Sequence, residues 1–565
     1  MVVYGEPMRL LLPLIAALAL SACASAAPPP RSQMLVAAAN PLAAEAGMRV
    51  LREGGSAVDA AVAVQAVLGL VEPQSSGLGG GAFMLHRDAQ TGKITAYNGR
   101  ETAPAGASAA MFLDVDGKPL PFQTAVLSGR STGVPGAVAM LGLAHREHGR
   151  RPWASLFTEA ARLGEEGFVV SPRLAGMING KAVQARTPDA SRYFVKADGS
   201  RYRAGETLRN PAYAASVRRL AAEGPQALYE GPIAEAIVAK VREEILPGSL
   251  SLADLSGYRA KTSDPLCRPY RIYVVCVPPP PSSGVALLQA LMLLEHTDVA
   301  ARGPLDPAAW AQIAEVQRLM YADRDRYVGD PAFVTVPVEA LLDRAYVARR
   351  AQGITERAAP NPSAGELPVK AGPDATLEPA GTSHFVIVDG EGDVVSITTT
   401  VESMFGSGRM AGGFFLNNQL TDFSFSPVEA DGAPAANAVA PGKQPRSSMS
   451  PVIVTDREGR FVAALGSPGG SSILAYNLKA LVGVLDWGLG MDEAIELPNL
   501  VARGSTFSGE EDRFDGRVLR GLNDRGFIFN GTAAEGSGLH GAMARGAALE
   551  GGADSRREGV VLIEP

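Results

Sequence analysis

The sequence has no cluster of Lys and Arg; its 52 basic residues are outnumbered by 59 acidic ones, for a formal net charge of -7 and a pI near 5.6. A phosphate footprint needs clustered cations, so a nucleic-acid partner is excluded. Long apolar runs are missing too. The one candidate, Leu10 to Leu20, is shorter than the roughly 20 residues a helix needs to cross a bilayer. Cysteine is scarce, at three residues, and no His lies near Cys267 or Cys276, which makes that pair a poor zinc site. His145 and His148 fall three apart with no third ligand and read as part of a solvated helix, so no metal site is expected.

What is present is ordinary for a soluble globular chain with a large core: 565 residues, 46% hydrophobic and 20% charged, long enough for two domains. Gly 63 and Pro 41 indicate many turns. At the N-terminus Arg9 precedes the apolar run, and Ser21-Ala22-Cys23 leads into small residues and Pro28-Pro29-Pro30. This reads as a signal peptide over residues 1–22, with Met8 a better start than Met1. Leu20-Ser21-Ala22-Cys23 resembles a bacterial lipoprotein box, in which Cys23 is lipidated and becomes the first mature residue. The alternative is ordinary cleavage near Ala24-Ser25-Ala26, which leaves the protein free in the periplasm. The expected location is therefore exported and periplasmic, with lipid attachment to a bacterial membrane. In that oxidising compartment Cys267 and Cys276 are expected to form a local disulfide, two buried thiols being the alternative.

Along the chain, Leu42, Ala46 and Val50 recur at helical spacing until Gly54-Gly55. Ser56 is placed to cap a second helix, Ala57 to Leu70, with Asp59 in its first turn and Pro73 beyond its end. The glycine cluster Gly77 to Gly81 leads into a strand at Ala82 to Leu85. Residues 150–350 read as mostly helical, with strands around Cys267 and Cys276. Residues 355–381 hold Pro360, Pro362, Pro368, Pro373 and Pro379 with little apolar periodicity, and read as a mobile linker. Strands follow at once: His384–Val388, a turn at Asp389 to Asp393, and Val394–Thr400. More are expected at Phe414–Leu416, Val452–Val454 and Phe461–Leu465.

A linker that runs directly into a strand makes sense if the chain is cut there. The hydroxyl of Thr382 could attack the carbonyl of Gly381 and shift the acyl group from N to O. Hydrolysis of that ester frees an α-amine, which can then act as general base for the same hydroxyl. Gly381 has no side chain to hinder the turn such attack demands. The dipeptide itself is common, so its context decides.

That context is ordered over nearly the whole mature chain. It comprises Asn40-Pro41-Leu42-Ala43, Gly54-Gly55-Ser56-Ala57, Glu72 to Gly81, Asn98 to Pro104, Ser131 to Gly136, and Pro279 to Gly284. It continues through Tyr321-Ala322-Asp323-Arg324, Gly329-Asp330-Pro331, Leu416 to Gln419, Asp422-Phe423-Ser424, Ser447 to Pro451 and Gly466 to Ser471. In these stretches the chain resembles the γ-glutamyltranspeptidases, a family of N-terminal-nucleophile hydrolases. The resemblance implies an α+β fold, the four-layer αββα sandwich, and a chain divided into a large subunit (23–381, including the linker 355–381) and a small catalytic subunit (382–565) that stay together as a heterodimer. It implies Thr382 as nucleophile, Thr400 as a second Thr assisting it, and Gly469 and Gly470 as backbone donors to the oxyanion. Arg100, Ser447 and Ser448 match the side that holds the donor's α-carboxylate, and Asp422 and Gln419 the side that holds its ammonium. The implied activity is attack on γ-glutamyl amides such as glutathione, with transfer to water or an amine, and no cofactor.

Two departures bear on the donor. Glu402 stands where many of the transpeptidases have Asn, so a carboxylate there could strengthen ammonium binding or repel the α-carboxylate. The stretch from Ser426 to Arg446 has no aromatic residue and so lacks the gate that closes over the pocket in some members. Related members act on other acyl amides, including glutaryl-type side chains of cephalosporins, and this is the alternative function. Three rivals are weaker. Gly129-Arg130-Ser131-Thr132-Gly133 fits a serine nucleophile elbow, but Pro135 and the glycines suit a loop. Gly77 to Ala82 lacks the strand–loop–helix context of a dinucleotide site. A non-catalytic binding lipoprotein would require loss of Thr382 or of the glycines, and all are present.

Overall fold

The computed structural model describes residues 33–565, apart from 245, 370, 372–375, 377, 379–380, 429–431 and 532–535, together with residues 1–3 and 5. The signal-peptide segment and the lipidation candidate Cys23 lie outside the described residues. Runs such as Met34–Ala38 and Thr382–Val388 are buried at every position, which suits strands covered on both faces. Seven strands form one sheet in the order Val560–Glu564, Met34–Ala38, Thr382–Val388, Val394–Thr400, Gly81–Arg87, Ile94–Gly99, Lys261–Ser263. Six form a second, in the order Ala548–Ala553, His540–Arg545, Phe461–Gly466, Val452–Asp456, Tyr273–Val277, Leu266–Tyr270. All neighbours in both sheets are antiparallel.

The sheets pack face to face through small and branched residues, among them Leu35, Ala37, Val386, Ile453, Ala464 and Ala542. Helices cover each outer face. Pro41–Arg52, Ala57–Val71 and Ala137–His148 share a core with the seven-stranded sheet. Gly284–Leu294, Pro307–Tyr327 and Ile473–Leu485 do so with the six-stranded one. The result is the expected four-layer αββα sandwich. Its local signals hold as well: Ser56 caps its helix through a reciprocal pairing with Asp59, and this helix is buried at every position.

Some boundaries move. The strand expected at Phe414–Leu416 shrinks to Phe414–Phe415, which pairs with Met410–Ala411 outside both main sheets. The two cysteines face each other across a hairpin that turns at Arg271 and Ile272, and a disulfide joins them. The described residues of 355–381 form neither helix nor strand, yet several are tied down. Ala358 N donates to Arg525 O (2.8 Å) and Gly365 N to Asp323 Oδ1 (2.8 Å).

Both sheets draw strands from before and after Thr382. Met34–Ala38 lies between Thr382–Val388 and Val560–Glu564, and Gly81–Arg87 pairs with Val394–Thr400. A cut between Gly381 and Thr382 breaks none of these ladders, nor the apolar cores under them. The two pieces are therefore expected to co-elute in size exclusion while separating on a denaturing gel. Elution of the pieces as separate species in native buffer would contradict this packing.

Candidate active site

Thr382 opens its strand and Thr400 closes the neighbouring one, and the antiparallel register sets them directly opposite each other. Their hydroxyls are thereby brought to 3.1 Å, with Thr382 donating to Thr400 Oγ1. Thr400 in turn donates to the carbonyl oxygen of Gly381 (2.7 Å) and accepts from the amide of Glu402 (2.8 Å). A hydroxyl has one proton and two lone pairs, so all three are engaged. The proton sits on the carbonyl of Gly381, where it draws charge from the carbon. A β-carbon on Gly381 would stand 2.1 Å from the carbonyl oxygen of Glu402, so only glycine allows this approach. Arg557 Nη1 donates to the carbonyl of Thr382 (2.9 Å) and holds the other side of the residue.

One cavity collects the residues that the sequence separates widely: Arg100, Thr382, Thr400, Glu402, Gln419, Asp422, Ser447, Ser448 and Gly470 all line it. Gly469 lies at the adjoining turn, where φ is 135° at Gly469 and 55° at Gly470, a conformation that favours glycine.

The cavity has an acidic side. Asp422 Oδ2 accepts from Arg100 Nη2 (2.5 Å) and Gln419 Nε2 (2.7 Å). Glu402 Oε2 accepts from Ser403 Oγ (2.5 Å) and from the Asn418 side-chain amide. Three acceptors then stay buried with no donor among the described residues, Glu402 Oε1, Gln419 Oε1 and Asp422 Oδ1, and the Glu402 and Asp422 carboxyls lie within hydrogen-bonding reach of each other. Burial, reinforced by the Asp422 charge, pushes the Glu402 carboxyl well above the usual range. Burial also raises Asp422, against the opposing pull of Arg100. Two carboxylates held together in this way need a proton or another cation between them.

Behind Glu378 and Ser448 of the same lining lies a basic cluster that the sequence reading did not assign. Arg324 and Arg446 meet the carboxylate of Glu378, as does the hydroxyl of Ser448. Arg324 appears in the sequence reading only as part of a family motif, Arg446 only as the end of the stretch without aromatic residues, and Glu378 only within the proline-rich stretch. A glutamate four residues ahead of Thr382 was the one available signal. Arg100, expected beside the donor's carboxylate, directs its guanidinium to Asp422 and to the carbonyls of Pro445 (3.1 Å) and Arg446 (2.6 Å).

The rivals do not assemble. Ser131 Oγ is buried and bonded to the carbonyls of Val126 (2.8 Å) and Ser128 (2.9 Å) rather than to an imidazole. His145 engages Arg151 O (2.9 Å), and His148 engages the Tyr97 hydroxyl (2.9 Å). Gly77 to Gly81 runs into the strand Gly81–Arg87, not into a helix.

A sequence model of the gamma-glutamyltranspeptidase family matches residues 43–563. The glutathione hydrolase proenzyme of Bacillus subtilis (strain 168) is 35% identical over 547 residues, covering 94% of this chain and 91% of that protein. The glutathione hydrolase proenzyme of Escherichia coli (strain K12) is 37% identical over 479 residues, covering 82% and 80%. Among solved structures, a cephalosporin acylase from Bacillus halodurans superposes with a TM-score of 0.83 at 25% identity, over 97% of this chain and 99% of that one.

The hydroxyl of Thr400 is expected to matter for self-cleavage. Thr400→Val keeps the shape but removes the donor on Gly381 O, and should slow appearance of the two pieces on a denaturing gel by about a hundredfold, the loss typical of one oxyanion donor. Thr400→Ser should cleave at nearly the normal rate. Equal rates for the valine and wild-type chains would remove Thr400 from the reaction.

Proposed function

This chain belongs to the gamma-glutamyltranspeptidase family and is a self-cleaving hydrolase and acyltransferase of that family; from that premise we propose that Thr382 opens γ-glutamyl amides, glutathione among them. The observation that carries this reading is the acidic side of the cavity. An α-ammonium has three N–H donors, and three buried acceptor oxygens lie unpartnered on Glu402, Gln419 and Asp422 beside Thr382. A cation placed among them also relieves the repulsion between the two carboxylates.

We propose steps that take each residue's role from the motifs shared with the family. In the uncut chain Thr382 Oγ bonds to the carbonyl carbon of Gly381, the C–N bond breaks, and the nitrogen takes up the proton that the hydroxyl loses. Water then hydrolyses the ester, restoring the Thr382 hydroxyl and leaving a carboxylate on Gly381, so that Thr382 keeps its free α-amine. That amine then accepts the hydroxyl proton as Oγ attacks the donor's γ-carbonyl, and Gly469 and Gly470 supply N–H groups to the oxyanion. The leaving amine departs with the proton, and water or an acceptor amine releases the acyl group by the same route. No metal or organic cofactor enters these steps.

A second reading, turnover of glutaryl-type amides, is favoured by the likeness to a cephalosporin acylase. A glutaryl group offers no cation to Glu402 and Asp422, so such donors should be poorer. We further propose that the protein is exported, with Cys23 lipid-anchored in the periplasm; the Cys267–Cys276 disulfide supports an oxidising compartment and the Leu20-Ser21-Ala22-Cys23 string supports the anchor.

Two measurements test the donor. The kcat/KM for a γ-glutamyl anilide should exceed that for a glutaryl anilide, and Glu402→Gln should shrink the ratio by about tenfold to a hundredfold, the worth of one charged hydrogen bond. The ratio should also depend on pH. Because the Glu402 and Asp422 carboxyls are raised, they hold a proton above the ordinary carboxylate range and must release it to take an ammonium. The ratio therefore falls as pH drops through that raised range, and titration of the Thr382 amine cancels because both donors use it. A ratio independent of both pH and Glu402 would move the substrate to the glutaryl class.

A further inference from the structure

The cavity that holds Thr382 is almost full in the uncut chain, and the group that fills it comes from the chain itself. Its free volume is about 20 Å³, room for roughly one water and too little for a γ-glutamyl group. Glu378 lies four residues ahead of Thr382, lines the same cavity, and has a side chain only 4% exposed. Arg324 grips its carboxylate with both terminal nitrogens, Nη1 to Oε1 at 2.7 Å and Nη2 to Oε2 at 2.8 Å. Arg446 Nη2 reaches Oε1 at 3.1 Å, and Ser448 Oγ donates to Oε2 at 2.5 Å. The backbone of Glu378 is held as well, its carbonyl accepting from Ser471 N (3.3 Å) just beyond the glycine turn.

We infer that Glu378 is a built-in substrate mimic: its carboxylate occupies an anion subsite formed by Arg324, Arg446 and Ser448, and after self-cleavage this subsite takes the carboxylate of the acyl donor. This inference rests on the reading of Thr382 as the residue cut and then used as nucleophile. Three features support it. The site is built as a carboxylate receptor, with a planar two-pronged guanidinium, a second guanidinium and a hydroxyl, all buried. Ser448 belongs both to this receptor and to the cavity wall facing Thr382. The arginines also share this anion. Arg324, Arg446 and Arg503 all reach Asp325, and Arg324 and Arg446 both reach Glu378 as well, so withdrawal of Glu378 removes a carboxylate common to two buried guanidiniums. Burial disfavours the Glu378 charge, yet Arg324 and Arg446 outweigh it and hold that carboxyl well below the usual range.

The arrangement explains how the uncut chain avoids binding substrate. A tethered carboxylate has a high effective concentration at its receptor, so a free donor cannot displace it. Cutting that peptide bond leaves Glu378 on a chain end no longer held at Thr382, and a diffusing carboxylate can then compete for the arginines.

The test uses full-length chains kept uncut by Thr382→Ala, titrated calorimetrically with L-glutamate and with glutarate. Thr382→Ala alone should give no saturable binding. Thr382→Ala with Glu378→Ala, or with Glu378→Gln to preserve shape, should bind both ligands at least tenfold more tightly. Adding Arg324→Gln should remove that gain. Glutarate should also raise the unfolding midpoint of the Glu378 variants and not that of Thr382→Ala, which reports a folded, open subsite. Equal affinity with and without the Glu378 carboxylate, whether both chains bind or neither does, overturns the inference. Cleavage of the wild type on a denaturing gel is scored separately. Its absence would count against the role of Thr382 and leave the calorimetry intact.

Discussion

Everything at the site depends on the register between two antiparallel strands, Thr382–Val388 and Val394–Thr400. That register puts the first residue of one opposite the last residue of the other and so brings two threonine hydroxyls together at 3.1 Å. A slip of one residue would turn both side chains to the opposite face of the sheet. The register is secured by burial on both faces: helices on one side, the second sheet on the other, with Val386 and Val394 packed between the sheets. The large core is thus what holds the two hydroxyls, and a cut at Gly381 would leave this frame in place.

Around that point the cavity is divided by charge. Carboxylates with unpartnered oxygens stand on one side and arginines on the other, and Arg100 joins the two by pairing with Asp422 next to the backbone of Arg446. A γ-glutamyl group carries the complementary charges, an ammonium and a carboxylate on one carbon. In the uncut chain Glu378 matches the basic side and Arg100 pairs with Asp422 on the acidic one. Burial and the neighbouring Asp422 charge raise the Glu402 carboxyl, which ties donor preference to pH.

Much of the frame was legible in the sequence because it rests on local signals. Ser56 and Asp59 announce a helix start within one turn, and Asp389 to Asp393 a hairpin between two apolar runs. Thr382, Thr400 and the pocket residues could be placed only through the ordered motifs, since Arg100 and Asp422 are 322 residues apart and share no local pattern. Arg324 shows where such reading stops. On a helix, Pro307–Tyr327, that carries several other charged residues, nothing local says which cation turns inward. Its partners Glu378 and Ser448 lie 54 and 124 residues away. Glu378 itself sits in a proline-rich stretch whose composition reads as linker, and only the folded chain shows what its carboxylate meets.

The central claim is that one residue, Thr382, is both the product of the cut and the atom that receives the acyl group. Intact-mass and fragmentation analysis of the small piece tests it most directly, after brief incubation with a γ-glutamyl donor and quenching in acid. The account predicts a piece that begins at Thr382 and carries one γ-glutamyl group as an ester on that residue. A piece with a different first residue, or an acyl group carried elsewhere, would contradict it.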